Sequence, residues 1–290
     1  ARWKARQWRE LWTTRQSYVR TVGDFSRRIH KTLQFANIKI DSVVSDLFGA
    51  TGRSLMKLLI HRKADISLDE IEQCAHGTLK KKIQELHRSI QGFFTDHHSN
   101  LLTMLLHTVE NLEAQIEQIT CTLRGMMTDN AAQIARLDKI PGINEIGAMG
   151  VISHVGVDLT SFPTVQAFCS WQGLCPGNNE SAGKRHSGRS AVRKHSLKTL
   201  FIELAWTAIK TKGSYFKDKF HRLKARRGAK RAITAIAHKL AIAVYYVLRY
   251  GRDYRELGEA YLDQRNKTAK VNRLKAQAQN MGFALVPLTN

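Results

Sequence analysis

The sequence predicts a mainly α-helical fold, in which a long coiled-coil helical hairpin is followed by a compact helical domain. Apolar residues recur at helical spacing along most of the chain, which contains only four prolines. With 290 residues, 43% of them hydrophobic, the chain can bury a core in one or two domains. We predict a helical linker and coiled-coil region at 1–132, a compact domain at 133–262 and a peripheral tail at 263–290.

The first half of the chain reads as a succession of helices. A long amphipathic helix is expected from Arg2 to Phe35, which contains no proline and a single glycine. Shorter helices are expected over Ser42–Phe48, Arg53–His61, Leu68–Ala75 and Leu79–Ile90. A seam with spacings of four and three residues follows: Leu105, Val109, Leu112, Ile116, Ile119, Leu123 and Met126. Such a seam is typical of a coiled coil or a long packed hairpin, and it permits dimerisation without requiring it.

A Pro-Gly turn between two short apolar segments, Leu137 to Gly156, resembles a helix-hairpin-helix element. In such an element the turn aims backbone N–H groups at a DNA phosphate, and the second helix adds the positive end of its dipole. The usual pattern has glycine where Asn144 stands, although asparagine tolerates the left-handed conformation better than most residues. A Pro-Gly pair between two helices is also common where a turn simply ends one helix, so a purely structural interpretation stays open.

Five further helices are expected in the second half. They are Val165–Trp171, Leu197–Lys212, the strongly basic Tyr215–Arg227, the apolar Ala229–Tyr250 and a polar helix that begins at Tyr261. The apolar helix is the expected centre of the compact domain. A short extended stretch, FALVPL, is expected to follow the polar helix.

Basic residues outnumber acidic ones by 46 to 24, which gives a formal net charge of +22. There are nine cations against two acids in residues 1–31, sixteen against two in 181–231, and nine against four in 232–290. Residues 32–180 have twelve cations against sixteen acids. A basic run can be only a solvated helix face, but sixteen cations within residues 181–231 favour a polyanionic partner, with nucleic acid the leading candidate.

The sequence disfavours a membrane protein. No run of 18 apolar residues exists, because the longest apolar stretch, Ala232 to Leu248, contains His238 and Lys239. No secretory signal is visible at the N-terminus. The four cysteines are scattered without a zinc-ligand spacing and read as reduced thiols. We expect a cytoplasmic protein that has no membrane contact and no metal ligands of its own.

The segment CPGNNESAGKRHSGRS, Cys175 to Ser190, does not read as part of a core. It has three glycines and almost no apolar side chains, and we expect a loop there. Ser181 stands between Glu180 and the start of a basic run. From the residues alone, Ser181 reads as a polar turn residue.

Three stretches resemble a known family: IPGINEIGAMGVISHVG, FCSWQGLCPGNNESAGKRHSGRS and the segment from Leu200 to Gly258. Together they resemble the C-terminal transposase domain of the DEDD insertion-sequence transposases, the bridge-RNA-guided recombinases. The upstream stretch NIKIDSVVSDLFGATGRSLMKLLI resembles the linker and coiled-coil region of that family. The resemblance covers nearly the whole chain in order, and GLCPGNNESAGKR is its most specific part.

The resemblance implies a function for the serine segment. In this family a serine of the C-terminal domain attacks a DNA phosphodiester and forms a transient phosphoserine link, and that serine corresponds to Ser181. A serine hydroxyl needs activation, and nearby cations can stabilise the negative charge of the transition state. The candidate nucleic-acid-binding residues are Lys184, Arg185, Arg189, Arg193, Lys194, Arg226, Arg227, Lys230, Gly142 and Asn144. The implied partners are double-stranded DNA, a structured guide RNA and further copies of the chain, as a dimer or tetramer in the bacterial nucleoid.

Two departures from the family pattern limit this expectation. The family pairs this domain with an N-terminal RuvC-like domain whose Asp/Glu cluster binds Mg²⁺, and this sequence does not contain that domain. We therefore expect no cofactor in this chain and Mg²⁺ only through the RuvC-like domain. The family also commonly reads Lys-Gly-Asn where this chain has RKHSLK, Arg193 to Lys198. Both departures are typical of a truncated or decaying copy.

Two other functional classes stay open. The chain is alternatively a non-catalytic nucleic-acid binder, in which the basic segments make salt-dependent phosphate contacts and Ser181 takes no part. A third interpretation is a coiled-coil assembly protein whose charge only keeps it in solution. A covalent protein–DNA adduct distinguishes the recombinase from both.

Overall fold

A computed structural model describes residues 2–63, 66–175, 179–181, 184–187, 196–284 and 286, and for residues 2, 179–181 and 184–187 it describes the backbone alone. The predicted mainly α-helical fold is confirmed, since the described residues form twelve α-helices, three short 3-10 helices and one two-stranded hairpin. The chain divides into an inserted unit, Leu11–Thr122, and a main unit, Ala1–Glu10 with Leu123–Asn290. The functional division at residues 132 and 262 stays a prediction.

The helices follow one another along the chain with short connections. The first five are α1 (Arg2–Phe35), α2 (Ala50–Arg62), α3 (Leu68–Cys74), α4 (Ile83–Ser89) and α5 (Asp96–Met126). The others are α6 (Ala131–Asp138), α7 (Glu145–Val155), α8 (Val165–Trp171), α9 (Ser196–Ala208), α10 (Tyr215–Arg227), α11 (Ala229–Tyr250) and α12 (Tyr261–Asn280). Strands β1 (Asn179–Ser181) and β2 (Lys184–Ser187) lie between α8 and α9, and 3-10 helices cover Ile40–Ser42, Gly77–Lys82 and Thr128–Asn130.

Two long helices run antiparallel in the inserted unit. Near one end the Arg15 side chain donates to the Thr120 hydroxyl at 2.8 Å, which joins α1 to α5. At the other end, just after α1 and just before α5, the Phe93 N–H donates to the Ala36 carbonyl at 2.7 Å. The helices between them complete one core with buried residues from α1 to α5, including Ile29, Leu33, Leu55, Leu59, Ile71, Leu86, Leu102 and Leu106.

The predicted seam lies on α5, which is one uninterrupted helix. Leu105, Val109 and Leu123 of the seam are buried, and its other members are half-buried. Two ion pairs flank the buried part, from Arg53 to Glu113 at 2.6 Å and from Lys57 to Glu110 at 2.8 Å. The helix is confirmed, and its pairing as a coiled coil stays a prediction.

The helix predicted over Ser42–Phe48 is wrong. The structure has a 3-10 turn that ends at Ser42, followed by irregular backbone up to α2. The Ser42 hydroxyl donates to the Lys39 carbonyl at 2.7 Å, and the Asp46 carboxylate accepts from the Phe48 N–H at 2.9 Å. Serine and aspartate side chains that bond the local backbone in this way compete with helix formation.

Helix α11 is the centre of the main unit, as predicted from its apolar composition. It packs against α6, α8, α9 and α10, and nine of its residues are buried. Its length and hydropathy also meet the requirement for a membrane span, but half of the apolar window is buried inside the fold. Core helices of soluble proteins pass the same test, so α11 is weak evidence for a membrane.

The first turns of α1 belong to the main unit. Trp8 is buried, and the Arg9 side chain donates to the His154 carbonyl at 2.9 Å, near the C-terminal end of α7. A cation at this end of a helix interacts favourably with the helix dipole. The two stretches of the main unit, far apart in sequence, are therefore joined by apolar burial and by a charged hydrogen bond.

Candidate nucleic-acid interface

The serine segment contains a β-hairpin where the sequence led us to expect a loop. Strand β1 pairs antiparallel with β2, so that Ser181 lies opposite Lys184 and Glu180 lies opposite Arg185. Directly opposed residues in an antiparallel pair have Cα atoms about 4.5–5.5 Å apart. In the sequence, two residues, Ala182 and Gly183, separate the two strands. The backbone therefore brings the candidate nucleophile next to one candidate cation, Lys184, while Arg185 pairs with Glu180.

Three of the candidate cations cannot be placed in this arrangement. Arg189, Arg193 and Lys194 lie outside the described residues. Their contribution to the interface stays a prediction from the sequence.

Helix α11 anchors the beginning of the serine segment. The Leu174 N–H donates to the Cys169 carbonyl at 3.0 Å, and the Cys175 thiol lies 3.9 Å from His238 Nε2 on α11. Burial lowers the pKa of His238 and raises the pKa of the Cys175 thiol. Both groups therefore favour their neutral forms, and this contact is a packing contact between polar groups.

Helix α7 anchors the end of the segment. Ser196, the first residue of α9, has its hydroxyl 2.8 Å from Nε2 of the buried His154. His154 Nδ1 lies 2.8 Å from the Gly150 carbonyl. Because a carbonyl only accepts, Nδ1 carries a proton and donates it to Gly150, and Nε2 shares the second hydrogen bond with the Ser196 hydroxyl.

A cluster of five cations lies where α10 ends and α11 begins. We call it the cationic corner: Lys224, Arg226, Arg227, Lys230 and Arg231, all of them exposed. None of the five forms an ion pair within the described part of the chain. Gly228, with φ of 77°, ends α10 and allows the sharp turn into α11. The corner is a concentrated positive surface built by two helix ends.

The N-terminus of α11 adds to the positive field of this corner. Its first turn contains no acidic residue, and the N-cap Gly228 provides no side-chain hydrogen bond. The first N–H groups of a helix have no partner within the helix, and they bind phosphates well. His238 lies eight residues after Lys230, or about 12 Å along the helix axis. One helix thus connects the cationic corner to the anchor of the serine segment.

The turn predicted to bind phosphate is constructed differently from the α11 terminus. Asn144 has an extended backbone, φ −98°, and its side chain accepts from the Gly147 N–H at 2.9 Å. Glu145, the first residue of α7, pairs with Arg124, whose hydrogen bonds hold the pKa of this carboxyl below its usual value. The α7 terminus therefore already has its own cap and a negative charge.

Gly142 is the residue of this turn that needs a left-handed backbone, with φ of 88°. A Cβ atom at this position would lie 2.4–2.6 Å from backbone and side-chain atoms of Ala208 at the end of α9. A Cβ atom at Gly147 would similarly lie 2.7 Å from Leu204 Cδ2. The glycines let the turn pack closely against α9, the helix that follows the serine segment. Contact of Gly142 and Asn144 with nucleic acid stays a prediction.

The sequence reasoning missed Lys224, Arg231 and the pair His154–Ser196. The run RRGAKR contained the signal for the cationic corner, because a glycine between two helices with cations on both sides places both helix ends at one surface. No sequence signal joins His154 to Ser196, since they are separated by 42 residues and meet only in the fold. Within the described part of the chain, no three His, Cys, Asp or Glu side chains form a group suited to a metal ion.

Comparison with known families gives a match to the central part of the main unit. Residues 134–221 match the family described as "Transposase IS116/IS110/IS902 family". This match supports a transposase of the IS110 type and, with it, DNA as a partner. A comparison with curated proteins finds no match to the chain.

Proposed function

We propose that this chain, whose residues 134–221 match an insertion-sequence transposase family, attacks a DNA phosphodiester through Ser181. The observation that supports this best is the antiparallel pairing of Ser181 with Lys184 inside the matched residues. A nucleophile needs cations close to the phosphoryl group that it attacks, because negative charge accumulates there. Lys184 and Arg185 follow the serine in the same hairpin.

The proposed step exchanges one phosphate ester for another. The Ser181 hydroxyl oxygen forms a bond to phosphorus, one bond from phosphorus to a sugar oxygen breaks, and the strand leaves with a free hydroxyl. The serine proton passes to a base, and the leaving sugar oxygen takes up a proton. Reversal by a different strand end restores a phosphodiester and completes strand exchange.

The rest of the active site is assigned to a RuvC-like domain. Mg²⁺ held by that domain would polarise the phosphoryl group and stabilise the transition state. The described residues contain no group of three ligands for such an ion, so we assign no residue of this chain to it. In the proposal, the serine hairpin provides the nucleophile, and the cationic corner holds the DNA backbone.

The partners in the proposal are double-stranded DNA, a structured guide RNA and further copies of the chain in a dimer or tetramer. The cationic corner supports the nucleic-acid part of this proposal, because unpaired exposed cations beside a helix N-terminus are suited to phosphates. The proposed location is the bacterial cytoplasm, at the nucleoid.

The test is a denaturing gel for a covalent protein–DNA adduct. The chain is joined to an intact RuvC-like domain and incubated with Mg²⁺, guide RNA and labelled target DNA. We expect an adduct with the unaltered chain, none with Ser181→Ala, and unchanged DNA binding in that variant. Ser187→Ala is the matched control, because Ser187 lies in β2 of the same hairpin. An adduct that persists in Ser181→Ala would contradict the assignment of the nucleophile.

A second candidate function is a nucleic-acid-binding protein without catalysis. The cationic corner favours it, since this surface is formed by α10 and α11 and does not require Ser181. The same gel separates the two functions. Retained binding with no adduct in any variant would support the binder and exclude the recombinase.

A further inference from the structure

Two tyrosines and an arginine form a stack at the end of α11. The rings of Tyr246 and Tyr250, one helical turn apart, lie 5.8 Å between centroids with an interplanar angle of 25°. The Arg252 guanidinium carbon lies 5.5 Å from the centroid of the Tyr250 ring. We call these three residues the tyrosine ladder.

The ladder lies at the surface, although its rings are large and partly apolar. Tyr246 is 42% exposed and Tyr250 is 54% exposed, whereas the adjacent Tyr245 is 2% exposed and donates its hydroxyl to the Phe162 carbonyl. Tyr245 therefore fulfils the ordinary structural role of a core tyrosine. Tyr246 and Tyr250 meet the Tyr245 ring edge-on, with centroids 5.7 and 6.3 Å away, and they also keep accessible area for a ligand.

The backbone holds the ladder in place. Helix α11 ends at Gly251 with a left-handed φ of 61°, and the chain turns so that Arg252 comes back over the Tyr250 ring. A Cβ atom at Gly251 would lie 3.0 Å from Nη1 of Arg136 on α6. A glycine is therefore suited to this position, and it brings α6 and the ladder close together.

Cations outnumber acids around the ladder. Arg136 and Lys139 reach Asp253 at 3.9 and 3.2 Å, and all three side chains are at least 42% exposed. Arg249 is near Asp158, whose pKa is lowered first by hydrogen bonds from Thr160 and in smaller part by Arg249. With Arg252 and with Asp138, which lies between Arg136 and Lys139 in sequence, this set contains four cations and three carboxylates. The local field favours a negatively charged ligand.

We propose that the tyrosine ladder is a stacking platform for unpaired bases of single-stranded nucleic acid. Bases inside a duplex already stack on one another, so exposed planar rings are of most use to unpaired bases. The neighbouring cations would hold the phosphates that connect those bases. The inference rests on the proposed binding of nucleic acid, but it does not depend on Ser181 or on strand exchange.

The test compares single strands with a duplex. Binding of the full chain is measured by fluorescence anisotropy at about 150 mM salt with a mixed-sequence DNA strand, the same RNA strand and the blunt DNA duplex. We expect Tyr250→Leu to weaken binding of at least one single strand by about 5- to 100-fold, the range for loss of one stacked base. Duplex binding should change by less than about 2-fold. The strand that loses affinity identifies DNA or RNA as the source of the bases.

Two further variants make this result specific. Tyr250→Phe keeps a planar ring and should keep single-strand affinity. Phe35→Leu is the matched control, because Phe35 is 73% exposed and has Lys31 Nζ 5.4 Å from its centroid, but lies in the inserted unit. Leucine is a good helix former, so Tyr250→Leu should keep α11 intact. A circular dichroism spectrum of this variant checks that its helix content equals that of the unaltered chain.

The outcomes separate the ladder from the proposed function. If Tyr250→Leu loses the same affinity for single strands and for the duplex, or loses none for either single strand, the tyrosine ladder is not a stacking platform. Either result leaves the proposed binding of nucleic acid in place. Failure of the unaltered chain to bind any of the three probes would overturn both.

Discussion

Gly142 meets two demands at the residue scale that no other residue type meets. Its φ of 88° lies in the left-handed region, and its Cα approaches the backbone of Ala208. Gly156 has a similar φ of 74°, but a Cβ atom there would have no neighbour within 4 Å. The two glycines therefore separate the cost of backbone conformation from the cost of close packing.

We expect Gly156→Ala to lower the free energy of unfolding by about 1–3 kcal/mol, because its φ of 74° and ψ of −171° lie in a backbone region that essentially only glycine adopts. Gly142→Ala should cost about 1–3 kcal/mol more, because the methyl group must displace α9. Urea unfolding of both variants measures the difference. Equal losses would show that the turn is not held tightly against α9.

His238 should make the fold sensitive to acid. Burial, with a smaller effect of Lys239, lowers its pKa in the folded chain below the ordinary value of 6.5. The unfolded chain then takes up a proton at a higher pH than the folded chain, so stability falls as the pH falls below about 6.5. The loss is less than about 1.4 kcal/mol per pH unit.

The comparison uses urea unfolding at pH 7 and pH 5.5. His238→Gln should lose less stability between these two values than the unaltered chain does, whereas His221→Gln, at an exposed position, should leave the difference unchanged. If the stability of His238→Gln depends on pH in the same way as that of the unaltered chain, His238 is not the cause of the acid sensitivity.

At the scale of elements, two helix N-termini of the main unit have opposite character. Helix α7 begins with a capping asparagine and an ion-paired glutamate, whereas α11 begins after a glycine and has Lys230 and Arg231 in its first turn. A carboxylate at a helix N-terminus occupies the position that an anionic ligand would take. The structure therefore favours the α11 terminus for phosphate contacts.

We expect Arg226→Glu with Arg227→Glu to weaken nucleic-acid binding for all sequences and to flatten the salt dependence by about 1–2 units. Lys80→Glu with Lys81→Glu is the matched control, since it makes the same charge change at exposed positions of the inserted unit. Affinity measured across a series of salt concentrations checks both. An unchanged slope in the first variant would place the cationic corner outside the interface.

Local sequence predicted the elements that have local causes. Helices α1, α10 and α11 have the predicted bounds, because apolar periodicity defines them and glycines end two of them. The stretch Ser42–Phe48 was mispredicted, because side-chain bonds to the backbone outweigh its apolar residues. The pair His154–Ser196 depends on a contact between residues 42 apart in sequence, which composition and spacing do not contain. The hairpin is local, but its short polar strands lack the apolar alternation by which strands are recognised.

At the scale of the whole molecule, the net charge is divided unequally. The inserted unit has fourteen basic residues against twelve acidic ones, a net of +2, and the main unit has 32 against twelve, a net of +20. Like charges repel and destabilise a compact unit, and salt weakens this repulsion. The main unit should therefore respond to salt much more strongly than the inserted unit.

Hydrogen exchange followed by mass spectrometry measures this difference within one chain. Raising NaCl from about 50 to 300 mM shortens the range of charge repulsion by more than half. We expect slower exchange in α9, α10 and α11, and little change in α2 and α5. A similar change in both units would show that a general salt effect outweighs charge repulsion.

The split of the main unit into residues 1–10 and 123–290 has a consequence for synthesis on the ribosome. Residues 11–122 are synthesised before residues 123–290 and contain all the buried residues of their own core, so this unit can fold while translation continues. Residues 1–10 form their native contacts later, because the Arg9 side chain bonds to the carbonyl of His154, which is synthesised after residues 11–122. Until residues 123–290 are made, Trp8, which is buried in the complete fold, lacks the rest of its unit.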